Sequence, residues 1–199
     1  MQDQTIKYYN QNAKKFFADT RSIPLHENQD EFLSYLKPHA KILDLGCGSG
    51  RDTKYFLSKN YHVDAMDGSK ELVKLAKNYT GTKVECALFS ELSVIQEYEG
   101  IWACSSILHL PKEQLEETFK RIAEALKPSG YAYASFKYGD FEGERNQRYF
   151  IDFTEPKFRD FIMKVPQLKI IDIWTNCDLR SNRQNEKWLN IILQKNIHS

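Results

Sequence analysis

Lys41-Ile42-Leu43-Asp44-Leu45-Gly46-Cys47-Gly48-Ser49-Gly50 runs from a short apolar strand through an acid into three alternating glycines. Glycine reaches positive φ and carries no Cβ, so the backbone here can pass close beneath a bound ribose or amino-acid moiety. A helix opening near Arg51 would point its free N–H groups at the same ligand. A dinucleotide fingerprint, G-x-G-x-x-G, would place its third glycine at position 51, where this chain has arginine. The spacing is instead D-x-G-x-G-x-G counted from Asp44, which speaks against a nicotinamide oxidoreductase on the same sheet. Asp67 lies 21 residues beyond Gly46, at the end of a second apolar run, Tyr61-His62-Val63-Asp64-Ala65-Met66. A carboxylate at that distance suits both hydroxyls of a ribose.

Outward from this turn the helical and strand periodicities alternate. Residues 5–18 and 26–36 read as helices and form an N-terminal helical lid, 1–38, on a core of 39–199. Helix 51–59 follows the first strand. Helix 69–79 follows the second, opening at Ser69 with Leu72, Leu75 and Ala76 on its apolar face. Strands are predicted at 83–88, at 100–107 and at 131–136. Between the last two, Pro111 starts a helix on which Leu115, Phe119, Ile122 and Leu126 recur at spacings of four, three and four. A helix at 154–165, capped by Thr154, precedes two closing strands at 169–174 and 188–194. Strands alternating with helices predict one α/β domain with a mainly parallel, doubly wound sheet and a ligand at the carboxyl ends of its strands. Two closing strands without a helix between them break the parallel order.

Composition narrows the function classes. The chain has 199 residues, 41% of them hydrophobic, enough for one sizeable core. Its formal net charge of +1 gives no global field for nucleic acid or anionic membrane. Neither a leader pattern nor an apolar run of membrane-spanning length occurs, which predicts a cytoplasmic protein. Cys47, Cys86, Cys104 and Cys177 are scattered with no C-x-x-C pair, so reduced thiols and no zinc site are expected.

With D-x-G-x-G-x-G, Asp67 and Leu126-Lys127-Pro128-Ser129-Gly130, residues 41–136 resemble the class I S-adenosylmethionine-dependent methyltransferases. The resemblance implies a Rossmann-like seven-stranded mixed sheet whose last strand is antiparallel. The family pattern usually has two glycines where this chain has Ser129-Gly130. Residues 101–109 and 188–190 resemble a bacterial subgroup of small methyltransferases, some labelled as related to tellurite resistance. The cofactor so implied is S-adenosylmethionine. Carried over residue by residue, Asp44 would hold its ammonium, directly or through water. Gly46, Cys47, Gly48 and Gly50 would carry its methionine part, and Asp67, followed by Gly68 and Ser69, its ribose. Leu88-Phe89-Ser90 would flank adenine, although the acid that the family often has there is absent. Ser105, ending the fourth strand, would face the methyl group, and Tyr8 or Tyr9 would close over the methionine carboxylate.

The acceptor is less legible. The lack of Asn or Asp followed by Pro-Pro-aromatic after the fourth strand, and of a Pro-Cys nucleophile, argues against DNA base methylation. A missing carboxylate cluster argues against a magnesium-dependent catechol type. A small-molecule acceptor is expected, without nucleic acid or membrane, in a monomer or weak homodimer. His109 is the one histidine at a strand's carboxyl end near the expected methyl, either as a base or as a hydrogen-bonded helix-entry residue. Two polar insertions, 137–149 and 175–187, supply Arg148, Arg180 and Arg183, with Tyr149 and Trp188 beside them. Arginine forks suit an anionic acceptor. A catalytically silent cofactor-binding protein and a methyltransferase of metalloid oxyanions remain as alternatives.

Overall fold

The computed structural model describes residues 2–180, 183 and 185–196. Seven strands form one sheet: β1 (Lys41–Leu45), β2 (His62–Asp67), β3 (Val84–Cys86), β4 (Tyr98–Ala103), β5 (Leu126–Lys137) and, late in the chain, β8 (Leu168–Cys177) and β9 (Lys187–Lys195). Their order is β3-β2-β1-β4-β5-β9-β8. The strands from β3 to β5 pair in parallel, and β9 is antiparallel to both β5 and β8. This is the expected mixed sheet with an antiparallel last strand.

Helices α1 (Gln2–Thr20) and α2 (His26–Ser34) precede the sheet; α3 (Arg51–Ser58), α4 (Lys70–Thr80), α5 (Lys112–Ala125) and α6 (Glu155–Ile162) connect it. Side chains alternate between the faces of a strand, and the core divides accordingly. Ile42, Trp102, Tyr133 and Ile192 pack with Phe32 of α2 and Phe56 of α3. Their neighbours Leu43, Ile101, Ala132 and Ile191 pack on the opposite face with Phe119 of α5 and Phe158 of α6. Burial on both faces is why these strands read as continuous apolar runs.

Several sequence expectations change. The insertion at 137–149 is not a plain loop: β6 (Glu142–Arg145) and β7 (Arg148–Ile151) pair as a separate antiparallel hairpin. The fourth strand stops at Ala103, before residue 107, because Ser105 turns to φ +53. The edge strand β3 covers only Val84–Cys86. Leu126 belongs to β5 and not to the preceding helix. Thr154 stands at the N-cap of α6, yet its side chain makes no capping bond. Ser69, by contrast, accepts the Leu72 N–H at 3.3 Å and caps α4 as expected. Ser129 takes φ +62, a left-handed conformation that favours glycine, at the position where the chain departs from the two-glycine pattern.

Candidate cofactor and acceptor cavity

The glycine turn at the end of β1 rests on the end of β2. The N–H groups of Gly46 and Cys47 donate to Met66 O at 2.9 and 3.0 Å. The carboxylate of Asp67 then accepts from Gly48 N–H at 2.9 Å and Ser69 N–H at 2.8 Å. Asp67 therefore ties the turn to the start of α4 while facing the cavity. Burial raises its pKa and the two amide bonds oppose that rise. Gly46 sits at φ +82, and a Cβ there would lie 2.5 Å from Cβ of Ser106. Gly48, at φ +54, faces the Phe16 ring of α1, 3.1 Å from where its Cβ would be.

α1 roofs this turn. It is pinned to α4 by the Ser69 hydroxyl, which donates to Asn10 Oδ1 at 2.9 Å, and to β7 by Tyr149 N–H, which donates to Thr5 Oγ1 at 3.3 Å. Ile6 covers Gly68, and Phe16 covers Gly48. The resulting cavity has a volume of about 670 Å³, within the range that holds a cofactor-sized ligand and a small partner. It extends from Asp67, Gly68 and Phe89 past Ser105 and Ser135 to Arg180 and Trp188 on the β8–β9 hairpin.

Of the residues singled out in the sequence, Tyr9, Gly46, Cys47, Gly48, Asp67, Gly68, Phe89, Ser105, His109, Arg148, Arg180, Arg183 and Trp188 line this cavity. The others stand behind it or away from it. Asp44 shares the strand face of Ile42, is 2% exposed and accepts from Thr53 Oγ1 of α3 at 2.5 Å. Burial and the neighbouring Asp52 push its pKa up to about 8, so it buttresses the turn from below. Gly50 is the left-handed N-cap of α3, Ser69 is fully buried as a cap, and Ser90 is exposed. Tyr8 packs edge-on against Tyr9. The hydroxyl of Tyr149 donates to Glu142 at 2.6 Å within the hairpin.

The tautomer of His109 follows from its partners. A carbonyl only accepts, so Nδ1 at 2.7 Å from Tyr149 O carries the proton, and Nε2 accepts from the Tyr9 hydroxyl at 2.9 Å. Arg148 donates to the same hydroxyl at 3.3 Å. Burial holds the imidazole pKa down at about 4, helped by the charges of Arg148 and Arg145. The Tyr9 phenol is raised by burial, against the opposing pull of Arg148.

Sequence reasoning missed two features of the wall. Ser105, left-handed at φ +53, donates its N–H to Ser135 Oγ at 2.8 Å, a strained turn at the tip of β4. Asn28, Asn176, Asn190 and the Tyr133 hydroxyl form a closed hydrogen-bonded set between α2 and the late strands, with bonds of 2.6 to 3.1 Å. Their spacing in the sequence carries no signal, since α2, β5, β8 and β9 meet only in the fold. Within the insertion at 175–187, residues 181, 182 and 184 lie outside the described residues.

Comparison with known proteins agrees with this geometry. Residues 42–130 match the family model described as a methyltransferase domain. The chain is 26% identical over 167 residues to phosphoethanolamine N-methyltransferase 1 of Zea mays, covering 77% of this chain and 33% of that one. It is 22% identical over 132 residues to the probable S-adenosyl-L-methionine-dependent methyltransferase TehB of Haemophilus influenzae, covering 64% and 46%. Among solved structures, the 1,6-didemethyltoxoflavin-N1-methyltransferase of Burkholderia thailandensis superposes with a TM-score of 0.80 at 20% identity, over 98% of this chain and 88% of that one. That last likeness is one of fold. The chain thus carries a methyltransferase domain at residues 42–130, in a fold shared with solved S-adenosylmethionine-dependent methyltransferases, and these likenesses support S-adenosylmethionine as cofactor. It spans a third to just under half of the length of the curated relatives it matches first.

Proposed function

We propose that this protein transfers the methyl group of S-adenosylmethionine to a small acceptor seated between Ser105, Ser135 and the β8–β9 hairpin. The observation that carries this reading is the single cavity running from Asp67 and the glycine turn to Arg180 and Trp188. When bound, the cofactor supplies an electrophilic methyl group on a sulfonium. The chain supplies position and dryness. Asp67 would take the ribose hydroxyls, the turn at Gly46–Gly48 would cradle the methionine part, and Phe89 would flank adenine. α1 keeps water from the reacting atoms, and in-line alignment in a dry site accounts for most of the rate. Cations of Arg148, Arg180 and Arg183 along the lining favour an anionic acceptor.

A protonated nucleophile would hand its proton to the Tyr9 hydroxyl as that hydroxyl passes its own to Nε2 of His109. Replacing His109 by alanine should then lower kcat while leaving cofactor and acceptor affinities within about twofold. His109 also makes stability depend on pH. Its folded pKa of about 4 lies below the usual 6.5, so its contribution is complete above pH 6.5 and is lost as pH falls toward 4. The full swing is about 3 kcal/mol. Melting curves between pH 7 and 4 should fall more steeply for the parent than for His109→Leu; equal slopes would show that the ring is not buried neutral.

The reading is tested by following S-adenosylhomocysteine release with a panel of hydroxyl, amine, carboxylate, phosphate, tellurite and selenite acceptors. Release with at least one of them supports it. Cofactor binding with no release from any acceptor would mean a catalytically silent binding protein, and NAD binding in place of S-adenosylmethionine would mean an oxidoreductase.

A further inference from the structure

The arginines facing the cavity differ in how far their charge is already answered. Arg180 donates through Nε to Asp178 Oδ1 at 2.8 Å and through its terminal nitrogen to Oδ2. Burial opposes ionisation of Asp178, but Arg180, a backbone N–H and the Trp188 indole together hold it at about 2. Arg145 pairs with Asp152 at 2.5 Å, Arg51 with Asp52 at 2.7 Å, and Arg183 lies 3.9 Å from Glu186. Among the described residues, no carboxylate lies within ion-pair distance of Arg148. Its guanidinium lies 4.5 Å over the Tyr8 ring and 5.1 Å from that of Phe150, and among the described residues its one hydrogen bond goes to the Tyr9 hydroxyl. Its Nε is buried and has no hydrogen-bond partner among the described residues. A half-buried guanidinium that faces a cavity with no carboxylate beside it is an incomplete ion pair.

We infer that Arg148 anchors an oxyanion of the acceptor, a phosphate or carboxylate oxygen, beside the Tyr9 hydroxyl. This rests on the methyltransferase reading and names the acceptor class within it. Arg148 reaches the Tyr9 hydroxyl on the side of His109, from the hairpin inserted after β5, while the Tyr9 ring itself meets, at 5.1 Å between centroids, that of Phe16, which covers Gly48. Aromatic rings on the flanks of Arg148 keep the guanidinium in place without neutralising it. An anion arriving there answers the charge of Arg148 through its guanidinium fork, and so fixes the rest of the acceptor against Ser105.

The test is calorimetric. Inorganic phosphate and acetate are titrated into the protein loaded with S-adenosylhomocysteine, for the parent, Arg148→Gln and Arg180→Gln, each confirmed folded by its melting temperature. Saturable binding of either anion, weakened about tenfold or more by Arg148→Gln and less by Arg180→Gln, is expected. Tighter phosphate would assign a phosphoryl acceptor and tighter acetate a carboxylate; both sustain the inference. Anion binding that is absent, or indifferent to Arg148→Gln, would overturn it. So would an Arg148→Gln variant that loses affinity for S-adenosylhomocysteine instead, since the guanidinium would then serve the cofactor. Should the parent not bind S-adenosylhomocysteine, the methyltransferase reading fails by itself, and the same titrations on the unloaded protein still decide the role of Arg148.

Discussion

Asp67→Ala is expected to weaken S-adenosylhomocysteine binding by about 2 to 3 kcal/mol, through loss of a charge-assisted acceptor. The structure adds a second cost to the ribose contact. Both carboxylate oxygens already accept backbone N–H groups, from Gly48 and from Ser69, so truncation also releases the glycine turn from the start of α4. Asp67→Asn should be nearly as damaging as alanine. Its amide would keep one acceptor oxygen and point N–H at the other backbone donor, leaving that donor unsatisfied. Because burial raises the Asp67 pKa, cofactor affinity should also fall at a higher pH on acidification than an ordinary aspartate would give. Calorimetry on variants with normal melting curves checks this, and an unchanged dissociation constant for Asp67→Asn would remove the carboxylate from the site.

The second large effect is on stability. Gly46→Ala should destabilise the fold by about 3 kcal/mol, combining left-handed strain with overpacking. Gly46 has φ +82, and the new methyl would meet Ser106 Cβ at 2.5 Å. Ser106 cannot retreat without breaking the bond from its hydroxyl to Leu45 O at 2.7 Å. At roughly 2 to 4 °C per kcal/mol for a chain of this size, the melting temperature should drop by about 10 °C. Gly81→Ala is the control. That residue has φ +74 but nothing within 4 Å of its Cβ position, so it reports strain alone. Equal losses for the two variants would show that the contact with Ser106 costs nothing.

What the sequence made legible depended on whether the signal was local. The glycine turn and the acid that ends β2 were readable because both lie at strand ends whose apolar runs announce them. The antiparallel ending was readable from two strands lacking a helix between them. The β6–β7 hairpin was hidden because Glu142–Arg145 is polar throughout and shows no apolar alternation. Asp44 stands behind the turn, where its strand parity sends it toward Thr53, a placement that the motif by itself does not announce. In sequence Arg180 and Arg183, lying between Trp174 and Trp188, are the leading pair for an anionic acceptor, with Arg148 in support. The fold distinguishes Arg180, two residues from its counter-ion Asp178, from Arg148, which has none among the described residues. The asparagine set joining α2 to β8 and β9 has sequence separations of up to 162 residues and leaves no local trace.

Isothermal titration of the parent protein with S-adenosylmethionine and S-adenosylhomocysteine tests the central claim most directly. The account predicts one site for each, with a micromolar dissociation constant, about −8 kcal/mol, and a rise in melting temperature with either ligand. No heat and no thermal shift with both ligands would contradict it.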